Sequence, residues 1–252
     1  MAIKSVASVV VPTVTVFAFY AKFRHKRSEL KYSTDVANRT IQPWNNNWDS
    51  SAGQESHATR NLYLIRHGQY VLDANTREEK ILTRLGREQA AVTGQYLANS
   101  NIPFTSLTVS TLVRAQETAS IISEQLPAPL PRTEDSLLAE GFPFPPEPTF
   151  ASYKVPLKEK AEQSVRIESA FKKYFHRAPS SQKSTSHEVI VCHANVIRYF
   201  VCRALQLPPE AWLRISLANA SITHVRIRPN GRVGITTLGN IGFMPFNKQT
   251  FT

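Results

Sequence analysis

The sequence predicts an α/β domain of three layers, a mainly parallel sheet with helices on both faces. Three observations predict it. Two apolar runs, Leu62-Tyr63-Leu64-Ile65 and Val189-Ile190-Val191, each stop at a histidine, His67 after Arg66 in the first and His193 after Cys192 in the second. Helical patterns alternate with strand-like runs, the succession expected of a parallel sheet. Near the end, residues 221–228 and 232–238 flank Pro229-Asn230-Gly231, whose Asn-Gly pair signals a hairpin and therefore an antiparallel edge.

The N-terminus comes first in the chain. Residues 5–21 contain no charged side chain and are bracketed by Lys4 and Lys22. As a helix they would span roughly 25 Å, slightly short of a bilayer core. The basic stretch from Lys22 to Arg27 lies on the wrong side for a cleaved secretory signal, and no A-x-A site precedes it. Residues 1–27 are therefore expected to be a membrane anchor or mitochondrial targeting segment, with a buried core helix as the alternative. The flanking charges would keep the C-terminal side untranslocated, so the sequons at Asn38 and Asn219 are expected to stay unmodified.

Residues 28–60 are polar, without periodicity, and are expected to form a flexible linker. One cluster interrupts them: Trp44-Asn45-Asn46-Asn47-Trp48-Asp49 holds two of the chain's three tryptophans. Exposed paired aromatics suit docking to a partner. Folding back onto the chain's own domain is the equal alternative.

From residue 61 the pattern is α/β. After the first strand, Thr83 is placed to cap a helix reaching about Ala98. Residues 106–110 form a second strand and residues 112–126 a second helix, with Arg114 in its first turn. Ser136-Leu137-Leu138-Ala139-Glu140-Gly141 is expected to be a short strand ending in an acid, between proline-rich loops. A long helix follows over about residues 157–177, then the second histidine-tipped strand, then a helix over residues 194–205.

Composition excludes several classes. With 42% apolar and 19% charged residues the chain is globular, and its formal charge of +11 suits anionic substrates or a membrane surface. It has no RNA-recognition, zinc-finger or recognition-helix signature, so no nucleic-acid partner is expected. Only Cys192 and Cys202 are present, expected as free thiols in a reducing compartment, and no metal site or metal cofactor is expected.

The chemistry sits where strands end. Ligands of open α/β sheets meet the carboxyl ends of the strands. Two histidines and an arginine at such tips suit phosphoryl transfer, whose transition state spreads negative charge over oxygens that planar guanidinium groups match. A neutral imidazole can attack phosphorus and split the displacement into two steps.

From residue 61 onward the chain resembles the histidine phosphatase superfamily, whose phosphoglycerate mutase branch begins Leu-x-Arg-His-Gly, here Leu64-Ile65-Arg66-His67-Gly68. Leu82-Thr83-Arg84-Leu85-Gly86-Arg87-Glu88-Gln89-Ala90 is similar to its Leu-Thr-x-x-Gly-x-x-Gln-Ala segment, and Ser110–Ala119 to its second arginine motif. The resemblance implies that His67 is the nucleophile and that Arg66, Arg114 and His193 bind the phosphoryl group. Glu140 is then the acid that protonates the leaving oxygen and later activates water, with Glu134 and Glu147 as rivals. No cofactor is implied.

Gln69-Tyr70-Val71-Leu72-Asp73 stands where mutases continue Glu-x-x-Trp-Asn, and Cys192-His193-Ala194-Asn195 where many have Gly-His-Gly. Both departures point away from phosphoglycerate. The tryptophan cluster, the Cys192–Tyr199 run, Ser221-Ile222-Thr223-His224 and Gly242-Phe243-Met244-Pro245 are instead similar to mitochondrial Ser/Thr protein phosphatases of the superfamily. That resemblance implies phosphoprotein substrates, a single-pass mitochondrial location with the outer membrane favoured over the inner, and homo-oligomers, dimers or larger rings, assembled through Trp44, Trp48 and Asp49. In those relatives the cluster is Trp-Asp-Pro-Asn-Trp-Asp, whereas Asn45 and Asn46 stand here. A mutase or small-molecule phosphomonoesterase, and a mitochondrial scaffold with secondary catalysis, are the alternatives.

Overall fold

A computed structural model of the chain describes residues 43–51, 53–76, 79–149 and 156–251. The chain divides into two units, Met1–Trp44 and Asn45–Thr252. The expected anchor at residues 5–21 lies outside the described residues. Among the described residues no helix is long and apolar enough to cross a membrane.

The second unit is built on β1 (Arg60–Arg66), α1 (Arg84–Ala98), β2 (Ser106–Ser110), α2 (Val113–Gln125), β3 (Arg132–Asp135), α3 (Leu157–Tyr174), β4 (Ser186–Cys192), α4 (Ala194–Ala204), β5 (Ile222–Ile227) and β6 (Val233–Asn240). The strands form one sheet in the order β3-β2-β4-β1-β5-β6. The pairs β1–β4, β2–β4 and β2–β3 are parallel, while β1–β5 and β5–β6 are antiparallel. The mixed α/β sheet with an antiparallel edge is thus as expected from the sequence.

All seven residues of β1 are buried, and its centre, Leu62 to Ile65, is apolar on both faces because helices cover both. Its alternation divides the core. Leu62 and Leu64 join Ile167 and Phe171 of α3 and Val196 and Phe200 of α4 on one face. Tyr63 and Ile65 join Leu97 of α1 and Ala115, Ala119 and Ile122 of α2 on the other. Cys192 and Cys202 are both buried free thiols.

Two expected elements differ. Residues 136–141 are not a strand: the strand is β3, one turn earlier, and Ser136–Leu138 is a 3-10 turn. The Asp135 carboxylate accepts the Leu137 amide at 2.9 Å and so caps the turn, leaving Leu137-Leu138 apolar for tertiary reasons rather than for a sheet. The long helix ends at Tyr174 rather than near residue 177, because Phe175 leaves the helix to enter the core.

Trp48 and Asp49 are docked on their own domain. The Trp48 indole donates to the Gly231 carbonyl at 2.8 Å and its ring packs against Phe171. The Asp49 carboxylate takes the Arg177 guanidinium at 2.5 and 3.0 Å and the Arg177 amide at 2.8 Å. Gly231, at φ +79°, makes the tight turn between β5 and β6 that brings its carbonyl to the indole. Asn219 is fully buried, and its amide reaches Thr250, so that sequon is closed to modification by packing.

Candidate active site

Parallel pairing of β1 with β4 sets Arg66 opposite Cys192, so His67 and His193 leave neighbouring strands at the same level. Their rings lie 5.1 Å apart, centroid to centroid. His67 is 2% exposed and His193 fully buried. Burial first, and then the guanidinium groups of Arg114 and Arg66, hold the His67 imidazole well below its ordinary pKa. It is therefore neutral at physiological pH.

The hydrogen bonds of His67 select its tautomer. Nδ1 lies 2.8 Å from the Gly68 carbonyl, to which it can only donate, and the Arg114 Nε donates to Nε2 at 3.2 Å. Both contacts put the proton on Nδ1 and a lone pair on Nε2, the state of a nitrogen nucleophile. His193 Nε2 meets Ser110 Oγ at 2.8 Å, and its Nδ1 has no partner among the described residues.

Arg114 enters from the first turn of α2, directly after the β2 tip. The Thr118 hydroxyl ties this turn to the loop after His67, donating to the Arg114 carbonyl at 2.7 Å and accepting the Gly68 amide at 3.0 Å. The Tyr70 ring lies against the Arg114 guanidinium at 4.7 Å and edge-on to His67. Arg66 donates to the Leu217 carbonyl at 2.6 Å, and its burial lowers its pKa to about 10, still charged at pH 7.

The α1 motif supports this loop. Thr83 caps α1 by accepting the Gly86 amide and donates to Gln69 Oε1 at 2.8 Å. Gln89, fully buried, accepts the Gln69 amide at 2.8 Å and donates to the Lys248 carbonyl. A Cβ on Gly86 would overlap the Gln69 carbonyl, and one on Gly68 would overlap the Gly86 carbonyl. Gly86→Ala is therefore expected to destabilise the fold by about 1–3 kcal/mol in denaturant titrations, the range of overpacked sites. Wild-type stability in that variant would show that the backbone here yields freely.

Glu140 reaches the cluster from the loop after β3. Arg166 of α3 holds that loop, donating to the carbonyls of Leu137, Ala139 and Glu140 at 2.8, 2.6 and 3.1 Å. Gln163 accepts the Phe142 amide at 2.6 Å, and Asn195 of α4 donates to the Gly141 carbonyl. Burial raises the Glu140 pKa, opposed by Arg114, the Gly141 amide and Arg66. Glu134 is exposed and pairs with Arg132, and Glu147 is exposed on a surface loop, so neither rival belongs to the cluster.

The structure thus brings Arg66, His67, Arg114, Glu140 and His193 together, and leaves Trp48 and Asp49 apart from them. Trp44 falls in the first unit. Sequence reasoning missed Tyr70, Ser110, Thr118, Arg166, Asn195 and Arg198, the last donating to Asn195 Oδ1 at 3.1 Å and facing Glu140 electrostatically. Only the Gln163–Arg166 spacing on one helix face offered a local signal. Among the described residues no three His, Cys, Asp or Glu side chains converge as a metal site.

The model of the histidine phosphatase superfamily (branch 1) matches residues 62–142 and 149–238. The chain belongs to that superfamily. This histidine phosphatase is 57% identical over 195 residues to the mitochondrial serine/threonine-protein phosphatase Pgam5 of Caenorhabditis briggsae, covering 77% of this chain and 68% of that protein. It is 51% identical over 193 residues to the mitochondrial serine/threonine-protein phosphatase PGAM5 of Mus musculus, covering 77% and 67%. Among solved structures, a phosphoglycerate mutase from Plasmodium falciparum superposes with a TM-score of 0.52 at 29% identity, over 75% of this chain and 96% of that one. Bacillus stearothermophilus YhfR, at 18% identity and a TM-score of 0.57, shares the fold over 74% of this chain and 100% of its own.

Proposed function

We propose that this histidine phosphatase is a mitochondrial serine/threonine protein phosphatase that works through a phosphohistidine at His67. The observation that carries the chemistry is the His67 imidazole, neutral, with Nε2 free of a proton beside Arg114. The relatives named as mitochondrial serine/threonine-protein phosphatases carry the substrate class.

In the first step His67 Nε2 attacks phosphorus, and the bond from phosphorus to the serine or threonine oxygen breaks. Glu140, whose pKa burial raises, gives that oxygen its proton. Arg66, Arg114 and the unpartnered Nδ1 of His193 hold the three other oxygens. In the second step the Glu140 carboxylate takes a proton from water, whose oxygen attacks phosphorus. The N–P bond breaks, inorganic phosphate leaves, and His67 is again neutral.

Residues 5–21 would anchor the enzyme in a mitochondrial membrane, with the outer membrane favoured, residues 28–60 would link it, and residues 61–252 would be the catalytic domain. Assembly into dimers or larger rings would use Trp44, Trp48 and Asp49, and the docking of Trp48 on Phe171 and Gly231 marks the kind of surface the motif fits. The experiment is side-by-side turnover of a phosphoserine peptide and phosphoglycerate. Peptide turnover well above phosphoglycerate turnover is expected. Comparable rates would return the chain to the mutase or small-molecule class.

Two opposed titrations give the pH profile its limbs. The first step needs neutral His67, whose pKa lies well below 6.5, and protonated Glu140, whose pKa lies above 4.5. Activity is expected to fall on the acid side as His67 gains its proton and on the alkaline side as Glu140 loses its own. Glu140→Gln should remove the alkaline limb that Glu140 sets, measured as kcat/KM against pH. An unchanged limb in that variant would exclude Glu140 as the acid.

A further inference from the structure

About 16 Å down β1 from the active site, at the strand spacing of an extended chain, the same sheet carries a second group of chemistry-bearing side chains. Asn61 pairs with His187 of β4 and Arg226 of β5, giving one polar row across three strands. Arg226 pairs on β6 with Gly234, where a Cβ would meet nothing within 4 Å. Alternation along β5 puts His224, Arg226 and Arg228 on one face, and His224 pairs with Tyr63 of β1. This is the face that carries Ile65 and Val191 in the core nearer the active site. At this end it borders an open cavity of about 630 Å³ instead, a size within the usual range for small-molecule pockets.

The lining is ordered. The Tyr63 ring stacks on His224 at 4.4 Å and 8°, and its hydroxyl meets His187 Nδ1 at 3.2 Å. His224 Nε2 meets Asn61 Oδ1 at 3.1 Å. Asn61 and Tyr63 are 4% and 6% exposed, so a polar floor occupies strand positions where aliphatic side chains would pack at lower cost. Among the described residues no carboxylate lines the cavity, and neither Arg226 nor Arg228 has an acidic partner within ion-pair distance. Two guanidinium groups, two imidazoles and a phenol therefore converge with nothing negative between them. Nothing in the phosphoryl-transfer reaction uses them.

We propose that this cavity is a ligand site separate from the active site, taking a small phosphate-bearing anion held by Arg226 and Arg228 with His187 and His224 as further donors. Guanidinium groups match phosphate oxygens in pairs, and the stacked Tyr63–His224 wall offers a flat surface to the organic part of such a ligand. Burial and Arg226 lower the pKa of both imidazoles, His224 to about 4. The groups facing them are Asn61 and Tyr63 from β1, Arg226 and Arg228 from β5, each other, and Tyr96 of α1 acting through Tyr63. A bound anion supplies the missing negative charge and raises both pKa values, so binding takes up protons and tightens as pH falls.

The test is nitrogen NMR of the histidine side chains in the full chain, titrated with inorganic phosphate at pH 5 and pH 6, where the phosphate stays a monoanion. The His187 and His224 signals are expected to shift, with tighter binding at pH 5. Arg226→Gln with Arg228→Gln should weaken that response at least tenfold while phosphopeptide turnover stays at the wild-type level. Vesicles of anionic phospholipid form a second arm. A response to phosphate alone assigns a soluble ligand, and a response to both assigns a lipid headgroup of the same chemistry. Silent His187 and His224 signals at phosphate concentrations that shift His67 and His193 would overturn the proposal, as would an undiminished response in the double variant. Failure of phosphopeptide turnover in the wild type would bear on the active site alone.

Discussion

His67→Ala is expected to lower phosphate release from a phosphoserine peptide by at least about a thousandfold, the scale on which removing a covalent nucleophile acts. The fold should survive, because the ring stands at a strand tip and the β1–β4 pairing below it is made by the backbone. Binding of phosphate should weaken less, since Arg66 and Arg114 remain. Thermal melting and single-turnover release, measured together, separate the two effects. Substantial release by a folded His67→Ala protein would remove the imidazole from the mechanism.

Glu140→Gln is the second large effect, and its size should depend on the leaving group. With an alkoxide leaving from serine, loss of the general acid is expected to slow the first step by about a hundredfold to ten-thousandfold. With p-nitrophenyl phosphate the departing phenolate needs little help, so the first step should be nearly unimpaired. The second step still lacks its base. The variant is then expected to release one equivalent of nitrophenol rapidly and to accumulate phosphorylated enzyme. Equal losses on both substrates, without a burst, would place Glu140 in substrate binding.

The nucleophile end of this site was legible because its signals are local. An apolar run that stops at Arg66-His67, and another that stops at Cys192-His193, announces a strand and its reactive tip in the same few residues. Their adjacency in the sheet adds what the text could not state: the two rings sit 5.1 Å apart because β1 and β4 pair in register. Arg114 was legible for the same reason, lying one turn beyond the β2 tip.

What holds Glu140 was not legible. Arg166 acts through three backbone carbonyls 26 to 29 residues away, and Asn195 through a carbonyl 54 residues away. Carbonyls carry no sequence signature, so a side chain chosen to bind them reads as an ordinary helical polar residue. The turn at Ser136–Leu138 fits a strand pattern in the sequence because its leucines are apolar for packing beside α3, a demand that a strand also meets. Trp48 posed the opposite problem. Its polar neighbours suggest a linker, yet its indole bonds Gly231, 183 residues on.

The stereochemical course at phosphorus tests the central claim most directly. A phosphoserine peptide made chiral at phosphorus with oxygen isotopes and sulfur, hydrolysed in labelled water, reports the number of in-line displacements. Transfer to His67 followed by transfer to water is two displacements, so the product phosphate is expected to retain configuration. Inversion would mean that water attacks the substrate directly and that no phosphohistidine forms.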